Sequence, residues 1–253
     1  MKINNTTKKT IEVLELISKN PNGLTLNEVA NELDLPKSTV FDILATLKAM
    51  DIIKYQDERI KNYVIGTKLF IIGNSYIEND DLINSSRKLI KELGDKLGRT
   101  VFIGQESQGK ILYLYKYEPD NAIITTSNIG STVNLYNTAL GKSILAYRED
   151  QEALIKNLKF KKYTKNTITN EFDLKEELKK VKKFGYAIDN REVEEHLSCI
   201  GAPIFNHKGE VIAAVSASGL YTENIDIDYI SRNIVETAYK ISLHMGYQQK
   251  KNI

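Results

Sequence analysis

Apolar residues between positions 8 and 19 fall at Ile11, Leu14 and Ile17, a spacing that predicts one helical face, and Pro21-Asn22-Gly23 ends it as a turn. Thr25-Leu26-Asn27-Glu28 then has the form of a capping box, in which Thr25 accepts from a first-turn amide while Glu28 reaches back. The helix it opens turns Leu26, Val29, Ala30 and Leu33 inward and breaks at Asp34-Leu35-Pro36. Pro36 suits the start of another helix, which runs to about Met50 with Val40, Leu44 and Leu47 inward. Two β-rich runs, Ile52–Tyr55 and Ile60–Ile65, flank the polar Gln56-Asp57-Glu58-Arg59 and predict a hairpin. Helix, short helix, tight turn, helix and hairpin form the order of a winged helix-turn-helix.

From Gly66 to about Asn79 a moderately apolar segment with Leu69, Ile71, Ile72 and Tyr76 predicts a linker helix, and acidic Glu78-Asn79-Asp80-Asp81 marks a boundary. The expected organisation is therefore residues 1–66, a helix over 67–80, and a second domain over 81–253. The second domain alternates helices and strands. Helices are predicted near 83–97, near 138–148, from Asp173 to Gly185, and over 226–246; strands are predicted near 100–106, 110–117, 122–127, 186–189, 199–205 and 210–218. Ser107-Gln108-Gly109 and Asn206-His207-Lys208-Gly209 join consecutive strands as hairpins, so the expected class is α/β of the α+β kind, a mainly antiparallel sheet flanked by helices.

Composition narrows this little. The 253 residues are 42% hydrophobic and 27% charged, ordinary for a globular chain with two modest cores. No apolar run reaches eighteen residues, and Met1-Lys2-Ile3-Asn4-Asn5 has no secretion-signal pattern, so the expected location is the cytoplasm. A single cysteine, Cys199, agrees with a reducing compartment. Charge gives nucleic-acid binding no support: the net is +2, and residues 1–80 carry ten Lys/Arg against eleven Asp/Glu. Nine lysines between Lys159 and Lys183 are interspersed with Glu171, Asp173, Glu176 and Glu177, which reads as a solvated face.

Position, not bulk charge, carries the DNA reading. The second helix of a helix-turn-helix lies in the major groove with its first residues nearest phosphates and base edges. Here it begins Pro36-Lys37-Ser38-Thr39, offering one cation and two hydroxyls, with Phe41, Asp42, Ala45 and Thr46 completing the outward face. The candidate DNA-contacting set is Thr25, Lys37, Ser38, Thr39, Phe41, Asp42 and Thr46, with Arg59 and Lys61 from the wing. Asp42 opposes this reading, because phosphate repels a carboxylate. An alternative is a ligand-binding module whose winged helix makes protein contacts.

The chain resembles the IclR family of bacterial transcription regulators. The N-terminal match is Leu24-Thr25-Leu26-Asn27-Glu28-Val29-Ala30 followed by Leu35-Pro36-Lys37-Ser38-Thr39-Val40. More specific are Asn137-Thr138-Ala139-Leu140-Gly141-Lys142-Ser143-Ile144-Leu145-Ala146, Gly185-Tyr186-Ala187-Ile188-Asp189, Cys199-Ile200-Gly201-Ala202-Pro203-Ile204, and the run from Gly209 to Gly219. The resemblance implies a winged helix-turn-helix joined to a GAF-like effector domain, a homodimer or dimer of dimers, and a roughly palindromic operator. It also implies repression of catabolic genes relieved or set by a small organic acid. Many relatives carry Arg where this chain has Asp42, and His or Tyr where it has Phe41, so the resemblance implies that a backbone or base contact is lost and that base choice should differ.

Family members bind small carboxylates or aromatic acids between the sheet and a helix N-terminus. The local chemistry agrees: a helix opening at Thr138 presents the amides of Ala139 and Leu140, and Ser216 and Ser218 alternate around Ala217 so that both hydroxyls share a strand face. By position, Asp189, Leu197 and Cys199 match effector-contacting sites, and Thr125 and Val133 match pocket-wall sites. Asp189 is expected at the opposite end of the pocket from an effector carboxylate. Cys199 with His196, or Ser216 with Asp189, would be a possible nucleophile and partner, but no nucleophile elbow, P-loop, dinucleotide fingerprint or metal-spaced cluster accompanies them. The expectation is a regulator without enzymatic activity, metal or cofactor.

Overall fold

The computed structural model describes residues 3–78, 81–120, 122 and 127–248, with side chains throughout except at 74–78. The chain divides into two compact units, Met1–Asn79 and Asp80–Ile253. Most of the predicted strand near 122–127, and the site residue Thr125, lie outside the described residues.

The first unit contains α1 (Asn5–Ser18), α2 (Leu26–Glu32), α3 (Lys37–Ala49), the hairpin β1 (Ile53–Asp57) and β2 (Asn62–Ile65), and α4 (Thr67–Glu78). Asn4 caps α1 by accepting from the Thr7 amide at 3.0 Å. Its buried face is Val13 and Ile17, with Leu14 and Leu16 beside them, whereas Ile11 is half exposed. The correction has a simple cause: each three-residue step falls 60° short of a turn at 100° per residue, so positions six apart diverge by about 120°. The capping box at α2 forms, with the Thr25 amide donating to Glu28 Oε2 at 2.7 Å and the Glu28 amide donating to Thr25 Oγ1 at 3.4 Å. Val29 and Ala30 of α2 and Val40, Ile43, Leu44 and Leu47 of α3 close one core over Ile53 and Tyr63 of the hairpin. The hairpin is tied to the strand segment before α2 by reciprocal Leu24–Tyr63 backbone bonds of 3.1 and 2.7 Å. Gly23 permits this: its φ is +74°, and a Cβ there would stand 3.0 Å from the Tyr63 carbonyl.

The second unit begins with α5 (Asp81–Leu97) and the hairpin β3 (Thr100–Ser107) and β4 (Lys110–Tyr117). There follow β5 (Thr132–Asn134), α6 (Ala139–Leu145), α7 (Gln151–Lys156), α8 (Glu171–Phe184), β6 (Ala187–Asn190), β7 (Leu197–Phe205), β8 (Val211–Leu220) and α9 (Ile227–His244). Described strands form one antiparallel sheet in the order β5-β4-β3-β8-β7-β6. The expected antiparallel sheet flanked by helices is therefore present. β5 and α7 were not predicted; each is too short to show a period. Alternation along β3 and β8 turns Phe102 and Ala214 towards α6 and α8, where Leu140, Ile144, Leu174 and Leu178 complete a core. Val101, Ile103, Val215 and Ala217 face the other side, where α5 and α9 pack on each other and on the sheet.

Candidate functional site

The outward face of α3 is built as the sequence places it. Lys37, Ser38, Phe41, Asp42, Ala45 and Thr46 are exposed and Thr39 is half-buried, because Val40, Ile43, Leu44 and Leu47 take the core side of the same helix. Phe41 leaves 57% of its surface uncovered, unusual for an aromatic residue with no core role. Arg59 and Lys61 are exposed in the hairpin turn, which Asp57 Oδ1 shapes by accepting the amides of Arg59 at 2.7 Å and Ile60 at 3.1 Å. Two candidates are committed elsewhere. The Thr25 hydroxyl donates to Glu28 Oε2 at 2.7 Å, so its proton serves the cap and is not available to a phosphate. The Thr46 hydroxyl donates to the Asp42 carbonyl at 2.7 Å, so its proton is held within the helix. Lys48 of the same helix, absent from the predicted set, lies over the Tyr55 ring of β1 at 4.2 Å.

The second unit holds a cavity between α6 and the sheet, with an empty volume of about 590 Å³ including its mouth. Strand register explains who lines it. Asp189 on β6 pairs with Cys199 on β7, and Cys199 with Ser218 on β8, a same-face row across three strands. The next row joins Gly201, Ser216 and Phe102. Gly201 allows α6 to approach, since a Cβ there would stand 3.1 Å from the Ala139 carbonyl carbon. Asp189, Cys199, Ser216 and Ser218 thus come together with Val133, Leu197, Ala139 and Leu140, all named from sequence. Lining residues that sequence reasoning missed are Phe102, Tyr113, Ser127, Thr138, Val193 and Glu194. Phe102 and Tyr113 form an aromatic pair with centroids 4.8 Å apart; strand alternation placed both on a face, but only sheet order shows which face.

Helix α6 spans seven residues, so it adds little macrodipole. Its contribution is local: Thr138 caps it by accepting from the Gly141 amide at 3.1 Å, and the first intrahelical bond comes from Lys142, leaving the Ala139 and Leu140 amides outside the ladder. The side-chain electrostatics are protic and acidic. Burial, and next the nearby Asp189, pushes the Cys199 thiol up to about 12, and the thiol donates to Ser218 Oγ at 3.3 Å. Burial likewise raises Tyr113 to about 12. Asp189 is buried and raised to about 7 by desolvation, while the Glu192 amide, donating to its Oδ1 at 2.7 Å, opposes the rise. A protonated Cys199 is a poor nucleophile, and His196 does not line the cavity.

Behind this cavity lies a feature the motif contained without revealing it. Lys142 of α6 is fully buried and its ammonium contacts Glu192 and the Ile188 carbonyl, with Glu177 of α8 at 3.6 Å. Thr164 and Thr167 hold the same turn by donating to the carbonyls of Arg191 at 2.6 Å and Glu192 at 2.7 Å. A lysine between glycine and serine gives no sign of burial in sequence.

Comparison with known proteins follows both units. A profile described as the IclR helix-turn-helix domain matches residues 6–57, and one described as the bacterial transcriptional regulator IclR C-terminal matches residues 74–243. The HTH-type transcriptional regulator KdgR of Escherichia coli K12 is 33% identical over 227 residues, covering 88% of this chain and 86% of that protein. The crystal structure of the Thermotoga maritima IclR matches with a TM-score of 0.77 at 34% identity, over 96% of this chain and 99% of that one. An IclR homologue from Microbacterium hydrocarbonoxydans, crystallised with 4-hydroxybenzoate, has the same fold with a TM-score of 0.83 at 17% identity, over 95% and 99% of the two chains. Helix-turn-helix, antiparallel effector domain and both profiles in order place this chain in the IclR family of bacterial transcriptional regulators, DNA-binding proteins and not enzymes.

Proposed function

We propose that the chain is a homodimeric regulator of catabolic genes that binds a roughly palindromic operator through α3 and the β1–β2 wing and takes a small organic acid into the α6 cavity. The observation that carries the reading is the cavity itself: residues named separately from sequence converge on one space lined by apolar walls and a few hydroxyls. Lys37, Ser38 and Thr39 would meet phosphates and base edges, Phe41 and the Thr46 methyl would touch bases, and Arg59 and Lys61 would reach the backbone. Exposed Phe70 and Ile71 on α4 offer a second copy apolar surface to cover. Effector would favour one arrangement of the dimer over another and so alter operator affinity.

Ser216→Ala tests the cavity. Loss of one buried hydrogen bond to a charged ligand group should cost about 1.5–3 kcal/mol, roughly ten- to a hundredfold in effector affinity. Ser216 is the cleaner probe, because Ser218→Ala also strips the Cys199 thiol of its acceptor. Calorimetry with candidate acids, beside melting curves, decides it: unfolding, or unchanged acid binding, would show the serine to be structural. Reporter transcription with and without the bound acid reads the sign of control.

Asp42→Arg tests the helix face. Exchanging an exposed carboxylate for guanidinium should tighten operator and non-specific DNA alike in gel-shift titrations at fixed salt. Weaker binding by a folded variant would mean that Asp42 accepts from a base amine or orders a neighbour. The near-neutral first unit favours a second reading, protein contacts by the winged helix, under which neither variant nor salt would change DNA binding.

A further inference from the structure

The α6 cavity has a charge imbalance. Asp189 and Glu194 both line it, and its described lining includes neither lysine nor arginine. The groups that act on Asp189 are Glu192 from the following turn, Lys142 from α6, Cys199 from β7 and Tyr113 from β4, while Glu194 and Arg99 act in turn on Cys199. Lys142 is the cation that acts on Asp189 itself, and it is spent on Glu192, the Ile188 carbonyl and, more distantly, Glu177. Cys199 and Tyr113 both stay protonated at any physiological pH, so they supply dipoles and no charge. An organic anion entering here would meet the buried Asp189 carboxyl, where the low local dielectric strengthens repulsion between like charges. The structure nevertheless offers one carboxyl that can be neutral. Oδ1 of Asp189 accepts the Glu192 amide at 2.7 Å, and the Val193 amide makes a further, lesser hydrogen bond to the same carboxyl.

We propose that the cavity admits an organic anion together with one proton, which the Asp189 carboxyl carries and donates towards the ligand as a hydrogen bond. The inference rests on the reading of this cavity as the effector site. No covalent bond changes: the proton comes from solvent, the ligand stays a carboxylate, and Asp189 becomes a neutral acid in the complex. Burial supports the step, since desolvation raises Asp189 to about 7 and its neutral form is therefore well populated in a cell. Effector affinity is thus tied to pH by the fraction of Asp189 that is protonated.

The experiment uses the full chain and four acids that ionise only at a carboxyl well below neutrality: acetate, pyruvate, gluconate and benzoate. Their affinities are measured by calorimetry from pH 5.5 to 8.5. For each acid that binds, the apparent affinity should be flat below about pH 6.5 and fall about tenfold per unit above 7, roughly thirtyfold across the range. Titrations in two buffers of different ionisation enthalpy should report uptake of about one proton per ligand at pH 8. Asp189→Asn keeps an acceptor for the Glu192 amide and a permanent donor towards the ligand, so its affinity should not vary with pH. His196→Gln, in the same turn, should retain the wild-type profile; histidine is the other side chain that changes charge in this window. A flat wild-type profile, or an Asp189→Asn profile that still falls, overturns proton coupling and leaves the effector site standing. Transfer of the pH dependence to His196 overturns it as well. If none of the four acids binds at pH 5.5, the effector site and the coupled proton fall together.

Discussion

Lys142→Met is expected to destabilise the second unit by about 3–5 kcal/mol, because it removes one partner of a buried ion pair and strands the other. The Lys142 ammonium is fully enclosed and holds α6 to Glu192 and to the Ile188 carbonyl of β6. Methionine fills most of the same space, so packing loss is the minor part and the uncompensated Glu192 carboxylate the major one. Desolvation already raises Glu192, and Lys142 is the main group that holds the rise down, with the Ile168 amide a lesser one; loss of Lys142 raises Glu192 further. The sign of the pH dependence follows. A carboxyl whose folded value lies above its unfolded one contributes stability below about pH 4.5 that is lost as pH rises through the folded value. The variant should therefore melt closest to wild type in acid and furthest from it above neutrality. For a unit of this size the difference is about 6–20 °C in Tm. Lys142→Met with Glu192→Leu should recover most of the loss, since a hydrophobic replacement of both partners is commonly neutral. Urea unfolding of the three proteins at pH 5.5 and 8 measures this. A single variant within about 1 kcal/mol of wild type at both values would show that the pair adds no stability.

Replacing Lys37, Ser38 and Thr39 together by alanine should remove operator binding by a hundredfold or more, as three first-turn contacts each contribute about 1–3 kcal/mol. Alanine favours helix, and none of the three side chains closes the core, so the first unit should keep its stability. Lys37→Ala alone should weaken all DNA sequences similarly and lower the slope of affinity against salt by about one unit. Thr39→Ala should shift base preference more than affinity. Unchanged operator affinity in the folded triple variant would sink the assignment of α3 to the major groove.

Much of the molecule was legible because it depends on neighbours in sequence. The Thr25–Glu28 box, the turn at Gly185 and the two hairpins of the second unit need only a few adjacent residues, and they form where predicted. The exposed face of α3 follows from the apolar spacing of Val40, Leu44 and Leu47. That Ser216 and Ser218 share a face follows from the period of two along a strand. Where the sequence had to be phased over a longer stretch it misled, as at Ile11, since small angular errors accumulate along a helix.

Which face those serines occupy, and beside whom, came from pairing between distant strands. The order β5-β4-β3-β8-β7-β6 seats β3 against β8, more than a hundred residues later, and so sets Phe102 beside Ser216 and Asp189 in a row with Cys199 and Ser218. No local period encodes that order; it is chosen by burying both faces of the sheet at once. The same holds for charge. Lys142 reads as a surface cation in a helix, yet three elements close over it, and Asp189 reads as an ordinary carboxylate until burial raises it towards neutrality. The chain's periodicities decided its elements and their faces, while desolvation and strand order, which exist only after those elements pack, decided which groups are charged and which meet in the cavity.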